Sequence, residues 1–341
     1  MLETDIKDYI DICVHLGAYH ELIQGSGGNF SLKNKDEIII KSSGRVLAET
    51  TNTTNTTNTT GYVICSISKL KECCKDSSIS IQSTVLGGEL QGTPSMEVFF
   101  HLLPYKWVVH IHPTYFLPYL CQLKWKSLQS SYPCSYIPYM TPGKDLGLYI
   151  LDQFKNEQVL FLQNHGIIVC GSTIEEILTI LDDLYNLNIN NVNCNLNNDN
   201  EFIQSYKFKK YIEKQTSQEI VVKPCKYVKN LVERVFFPIT PDISLFLKHG
   251  PLIQEHNDES IEKLFDEYYK KYKIIPSVVR LGNRTYILGK SYHQCVSIEE
   301  ILESYIEIIT NCDTSTLIYF DENKIKTIAS SDNEIRRLNM K

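Results

Sequence analysis

The chain has no apolar run near the roughly 20 residues needed to cross a bilayer, and no apolar N-terminal signal region. It has no basic surplus: the net charge is −6, which removes the electrostatic reason to expect nucleic acid or an anionic membrane surface as partner. There is no Gly-x-Gly-x-x-Gly fingerprint after a strand, so no dinucleotide-binding half is expected. The cysteines number 11, an odd count, with no zinc-ribbon spacing and no evident disulfide framework. Cys73 and Cys74 are adjacent, and others, such as Cys170, sit inside apolar runs. A reducing, cytoplasmic setting accounts for this pattern. Sequons such as Asn52-Thr-Thr54 then carry no glycan.

Most of the chemistry is in the run Lys106-Trp-Val-Val-His-Ile-His-Pro113. Residues 107–111 are β-branched and aromatic and read as a strand ended by Pro113. Residues two apart on a strand share a face. His110 and His112 therefore project side by side, as half of a metal site or as two hydrogen-bonded core histidines. A second buried strand, Val159 to Gln163, runs into Asn164-His165-Gly166, a turn that can aim His165 at the same point. Gly92-Thr-Pro-Ser-Met-Glu97 opens another apolar stretch. Pro94 suits the first turn of a helix over 94–103, which places Glu97 near its start. Three histidines, one carboxylate and room for a substrate match a catalytic zinc site better than a closed structural one.

The length allows two domains. A first helix is expected over 4–22, with a stripe of Ile6, Tyr9, Ile10, Cys13, Val14 and Gly17, stopped by the glycines at 25, 27 and 28. Strands are expected at 29–32 and 37–41. Residues 50–61 form a Thr-Thr-Asn repeat that cannot bury a core and reads as a disordered surface insertion. Further helices are expected at 146–156 and from Thr173, where Glu176 completes a capping box. Asn188 to Asn200 is asparagine-rich and reads as linker, extending to about residue 220. A second module covers 221–341. It has an amphipathic helix through Ile261, Leu264, Phe265, Tyr268 and Tyr272, and a hairpin turning at Gly282-Asn283. A helix over 298–310 capped by Ser297 and a last strand at 316–320 complete it. His249 and His256 read as surface histidines, and no catalytic constellation is visible in this module.

Five segments, in order, resemble the class II aldolase/adducin family, whose members include zinc-dependent sugar-phosphate aldolases. They are Gly25-Ser-Gly-Gly-Asn-Phe-Ser31, Ile40-Lys-Ser-Ser-Gly44, Pro94-Ser-Met-Glu97, His110-Ile-His112 and Gln163-Asn-His-Gly166. Longer phrases, such as Ile137-Pro-Tyr-Met-Thr-Pro-Gly143, are similar to the aldolase half of bifunctional aldolase/short-chain dehydrogenases. The resemblance implies a three-layer α/β/α domain over 1–195, with a central, mainly antiparallel sheet, followed by a smaller C-terminal α/β module. It implies reversible aldol cleavage of a sugar or sugar phosphate through a metal-stabilised enediolate. By match to the motifs, His110, His112 and His165 hold Zn2+, or another divalent ion such as Mn2+ or Co2+, and Glu97 transfers the proton. Ser26 and Asn29, then Ser43 and Gly44, then Ser95 match the family's three phosphate contacts. The chain departs from the better-known aldolases at Met96, where they carry a second serine, so a hydroxyl donor is missing. His101, four residues after Glu97, reads as a buried hydrogen-bonding residue rather than a ligand. The family also implies a homo-oligomer, commonly a tetramer, with a tyrosine supplied by a neighbouring subunit; none of the 21 tyrosines is singled out by its pattern. An epimerase, decarboxylase or dehydratase on the same scaffold, or a non-catalytic adducin-like binding protein, are the alternatives. Family epimerases typically carry aspartate where Glu97 stands, and the adducin-like relatives have lost the histidines.

Overall fold

The computed structural model describes residues 2–51, 60–89, 91–122, 126, 128, 130–189, 200–226, 236, 238–255, 259–311, 318 and 320–329. The chain divides into two compact units, 1–203 and 204–341.

In the first unit the elements run α1 (Glu3–Gly17), β1 (Asn29–Lys33), β2 (Glu37–Lys41), β3 (Tyr62–Ser66), α2 (Ile67–Lys75), β4 (Val85–Gly88), β5 (Trp107–Ile111) and α3 (Leu117–Leu120). Then follow β6 (Cys134–Ile137), α4 (Lys144–Gln153), β7 (Val159–Leu162), β8 (Gly166–Gly171), α5 (Ile174–Ile189) and the start of α6 (Glu201–Thr216). Among the described residues, eight strands form one sheet in the order β4-β3-β2-β1-β5-β8-β7-β6. Every neighbouring pair is antiparallel except β6 with β7. The mainly antiparallel sheet expected from the resemblance is therefore present.

Strand alternation sorts the core into two faces. On one face Ile38, Ile40, Val63 and Cys65 pack with Leu70 and Cys73 of α2 and with Val98 and Phe99. The same face continues through Val108, Leu160, Leu162, Ile168 and Cys170, covered by Phe100, Leu103 and the α4 residues Leu146 and Ile150. Against the other face lie α1, beside β1, and α5, beside β8 and β5. Three layers result.

Several local outcomes differ from the sequence-based expectations. The first helix ends at Gly17, not near Leu22, and its buried residues are Tyr9, Ile12, Cys13, His15, Leu16 and Gly17. Beyond it the backbone pairs sideways, with His112 N–H donating to the Leu22 carbonyl and Thr114 N–H to that of Glu21. The stretch 94–103 is not an α-helix. Ser95 N–H is taken by the Lys41 carbonyl and Ser43 N–H by that of Thr93. The following turns close on three-residue bonds, such as His101 N–H to Val98, and end in a single 3₁₀ turn at Phe100–Leu102. The helix beginning after Thr173 is capped as expected by the Thr173 hydroxyl, which accepts from Glu176 N–H at 3.1 Å. Glu176 itself reaches Ser172 N–H rather than that of Thr173.

The span 196–220, expected as linker, contains α6. Its apolar residues Phe202, Tyr206, Phe208 and Ile212 are buried at helical spacing within a lysine- and glutamine-rich stretch. The buried Asp182 carboxylate accepts the backbone N–H groups of Phe202 and Ile203, at 2.8 and 3.0 Å, and so satisfies the first turn of α6 from α5.

The second unit holds the rest of α6, β9 (Val221–Pro224), α7 (Pro241–Leu247), β10 (Leu252–Ile253), α8 (Ile261–Tyr272), β11 (Val278–Leu281), β12 (Arg284–Gly289), α9 (Tyr292–Thr310) and α10 (Glu322–Ala329). Its sheet runs β10-β11-β12-β9. The β11–β12 hairpin turns at Gly282-Asn283 as expected. Helix α9 begins at Tyr292, earlier than expected, because the Ser291 hydroxyl caps it by accepting from Gln294 N–H at 3.2 Å. Ser297 becomes an interior residue whose hydroxyl donates to the His293 carbonyl. His249 is exposed and stacks on Tyr272 with ring centroids 4.2 Å apart. His256, and the expected strand at 316–320 apart from Ile318 and Phe320, lie outside the described residues, as do repeat residues 52–59.

Two expectations follow. Thr51 N–H donates to the Thr60 carbonyl at 3.0 Å, so the repeat leaves and rejoins the fold at one point. Deleting residues 52–59 and closing with a short turn should leave the melting temperature and metal content nearly unchanged, since closure entropy depends weakly on loop length. A large fall in melting temperature would mean that the repeat is packed. Burial raises the Asp182 carboxyl to about 7, against the opposing effect of the two N–H donors. A carboxyl raised in the folded state binds its proton more tightly there than in the unfolded chain. Stability from this group is therefore lost as pH rises between about 4 and 7. The melting-temperature advantage of wild type over Asp182→Asn should shrink across that window, and a constant difference would contradict the assignment.

Candidate metal centre and active site

Strand β5 is paired on both edges. Asn29 of β1 lies opposite His110, and Ile167 of β8 lies opposite Ile111. This register brings the end of β5, the start of β1 and the 163–165 turn to one place. His110 is fully buried, on the face it shares with Val108. Its Nδ1 lies 3.0 Å from the Ile167 carbonyl, an acceptor, so Nδ1 carries the hydrogen and Nε2 is left to face the site. His112 Nε2 is 3.0 Å from His110 Nε2. His165 follows Asn164, which takes a left-handed φ of 54°, and the turn carries the imidazole back over β5. Gly166 is required there: a Cβ would stand 2.3 Å from the Ile111 carbonyl oxygen and 2.8 Å from the His112 ring.

The ligating nitrogens of His110, His112 and His165 all lie within 4.8 Å of one another. Glu97 faces them, with Oε1 at 3.3 Å from His165 Nε2 and Oε2 at 3.5 Å from His110 Nε2. Burial lowers the proton affinity of all three rings, His110 well below the usual histidine range and His165 to about 3. They are therefore neutral donors at physiological pH, the form that binds a metal. Neither Glu97 Oε1 nor His165 Nδ1 has a hydrogen-bond partner among the described residues, though both are buried. Buried polar atoms are ordinarily satisfied. Three neutral imidazoles, with a half-engaged carboxylate beside them, suit a divalent cation of the zinc type.

The other expected residues surround one buried charge. Lys41, at the end of β2, donates from Nζ to the carbonyls of Ser26 and Arg45, and its own carbonyl accepts from Ser95 N–H. Ser26, Ser43, Gly44 and Ser95 are thereby grouped around it. Ser26, Ser43 and Gly44 are exposed, while Ser95 is buried and its hydroxyl accepts from Glu97 N–H. Burial lowers Lys41 to about 8, so it remains largely protonated at neutral pH. Lys41 was not singled out from the sequence; its signal was a lysine ending an otherwise isoleucine strand just before Ser-Ser-Gly. The buried Ser42 hydroxyl, also missed, has no partner among the described residues. Asn29 differs from its expected place in the anion loop. It is buried, and its amide Nδ2 donates to Glu97 Oε2 at 2.8 Å. Gly28, at φ 60°, sets that orientation, and a Cβ there would meet the His110 carbonyl at 2.8 Å. Met96 is 59% exposed and lies beside Gly143, so no hydroxyl replaces the missing serine at that point.

A family model, the class II aldolase and adducin N-terminal domain, matches residues 7–187, more than half of the chain. The chain belongs to the class II aldolase and adducin family. It is 27% identical over 201 residues to an L-fuculose phosphate aldolase of Methanococcus vannielii, spanning 54% of this chain and 95% of the relative. Among solved structures, it is similar to the N-terminal class II aldolase domain of a conserved protein from Thermoplasma acidophilum. That match has 23% identity and a TM-score of 0.44 and covers 56% of this chain and 91% of the other. An L-fuculose 1-phosphate aldolase structure is similar at 17% identity and TM-score 0.42, covering 61% of this chain and 98% of that one.

The histidine cluster predicts about one divalent ion per chain. His110→Ala and His165→Ala should each strip the ion and leave the far-ultraviolet circular dichroism spectrum intact. Elemental analysis of wild type and the two variants decides it; equal metal in all three would remove these residues as ligands.

Proposed function

We propose that this protein is a divalent-metal-dependent aldolase that cleaves a sugar phosphate reversibly between the carbons α and β to a carbonyl. The observation that carries the reading is the buried Glu97 carboxylate, one oxygen held by Asn29 and the other unpartnered beside three neutral imidazoles. His110, His112 and His165 would hold the cation, and a bound divalent cation supplies Lewis-acid polarisation of the substrate carbonyl and charge stabilisation as an enediolate develops. The remaining steps belong to the chain's own groups. Glu97 Oε1 takes up and returns the proton as the carbon–carbon bond is broken or made. Lys41 and the backbone amides of the 25–28 and 42–45 loops provide the positive field for a phosphate. The exposed Ser26, Ser43 and Gly44 lie where such a group would enter, and Ser95 and Ser42 offer hydroxyls below them. A homo-oligomer remains part of this proposal, since a family tyrosine from a neighbouring subunit would complete the proton chemistry.

The test is a cleavage screen of ketose 1-phosphates and their unphosphorylated forms with metal-loaded protein. Cleavage confined to phosphorylated ketoses is expected. Epimerised, decarboxylated or dehydrated products without cleavage would move the protein to another reaction on this scaffold. On the substrate identified, Glu97→Gln should retain metal and lose at least about a hundredfold in turnover, the range usual for a general base. Unchanged turnover would remove Glu97 from the mechanism.

A further inference from the structure

Behind Glu97 lies a buried polar chain. The fully buried His101 places Nδ1 2.7 Å from the Ser31 hydroxyl and Nε2 against Asn29 Oδ1. Asn29 in turn donates from Nδ2 to Glu97 Oε2. Asn29 and Ser31 are two apart on β1 and so share the face on which His101 packs.

The directions of these bonds are fixed from one end. An ionised carboxylate only accepts, so the Asn29 atom facing Glu97 must be the amide nitrogen. The carbonyl end then faces His101 and needs a donor. His101 is held neutral by burial, so it has a single N–H to give. That hydrogen must sit on Nε2, leaving Nδ1 to accept from the Ser31 hydroxyl. The opposite tautomer would leave Nε2 with no hydrogen to give Asn29 Oδ1. It would also turn the Asn29 amide over and aim an oxygen at Glu97, an arrangement compatible only with a protonated carboxyl. The His101 tautomer and the Asn29 amide that faces Glu97 are thus two ends of one hydrogen-bond sequence.

We propose that His101 is a positioning residue that acts through Asn29 to hold Glu97 by Oε2, leaving Oε1 as the atom that exchanges protons with substrate. This rests on the proton-transfer reading of Glu97, but its structural half is independent of any substrate. Asn29 is then a support of the base.

The experiment uses the full chain, with and without zinc, in wild type, His101→Gln and His101→Leu. Glutamine keeps an N–H near the position of Nε2; leucine keeps bulk and removes the donor. Nitrogen-15 NMR of histidine-labelled wild type should find His101 protonated at Nε2. The Asn29 side-chain amide protons should exchange slowly with solvent in wild type and His101→Gln, and rapidly in His101→Leu. Zinc content should be equal in all three. Deuterium uptake from D2O into dihydroxyacetone phosphate should fall between about ten- and a hundredfold in kcat in His101→Leu, as for a displaced catalytic group, with KM little changed. His101→Gln should recover most of that loss. An Nδ1-protonated His101, wild-type exchange rates in His101→Leu, or no recovery by glutamine would overturn the proposal. If wild type takes up no deuterium, the proton-transfer reading falls, and the tautomer and amide measurements still decide the positioning. If His101→Leu does not fold, the tautomer and the glutamine variant decide it.

Discussion

Strand β5 is held between β1 and β8 in a register that leaves no freedom about which side chains meet. With Asn29 opposite His110 and Ile111 opposite Ile167, the residue that holds Glu97, the buried His110 and the turn bearing His165 come together at one sheet end. A slip of one residue along either edge would send His110 to the opposite face and an apolar neighbour into its place. The buried sets on the two faces of β5, Val108 on one and Trp107, Val109 and Ile111 on the other, make such a slip costly. The geometry of the centre is therefore a consequence of core packing. The close approach at Gly166, where no side chain fits against Ile111 and His112, adds a second restraint on the same register.

That packing creates an electrostatic problem for the groups it encloses. Burial drives His110, His112 and His165 neutral, and it leaves a Glu97 oxygen and a His165 nitrogen unsatisfied in a region where unpaired polar atoms are expensive. A divalent cation at the cluster would take one nitrogen from each imidazole and offset the carboxylate. The Ile167 carbonyl, the Asn29 amide and the His101 ring do not share in that neutralisation; they orient the groups that do. This division between orienting and charge-bearing groups is what lets a site of this kind be assembled before anything binds.

The parts of this arrangement legible in the sequence are those set by local periodicity. His110 and His112 two apart in a β-branched run, and His165 in a turn after a second such run, announce convergence. The isoleucine run of 37–41, the Thr173 cap and the Gly282-Asn283 hairpin were legible because each is set by residues close in the chain. What was not legible depends on partners distant in the chain. The stretch 94–103 has the composition of a helix, yet its first N–H groups and carbonyls are claimed by β2 and the loop after it. Helix α6 was hidden because its four buried aromatic and aliphatic residues are spaced among lysines and glutamines. Asn29 starts β1, as expected for 29–32, but its partners Glu97 and His101 lie about 70 residues away and could not be read from local pattern.

Lys41 links the two ends of the site. A buried ammonium is costly unless paired, and here its partners are backbone carbonyls rather than a carboxylate. Carbonyl dipoles solvate the charge without cancelling it, so its field extends to the exposed Ser26, Ser43 and Gly44 loops. The same residue's carbonyl holds Ser95 N–H, two residues before Glu97. Any shift of the loop that receives an anion is therefore transmitted to the segment that carries the base. Three adjacent strands thus meet at the same sheet end: Lys41 of β2 brings the buried ammonium, Asn29 of β1 the grip on the Glu97 carboxylate, and His110 of β5 the first imidazole of the cluster. Their mutual positions follow from strand spacing and register rather than from the loops that flank them.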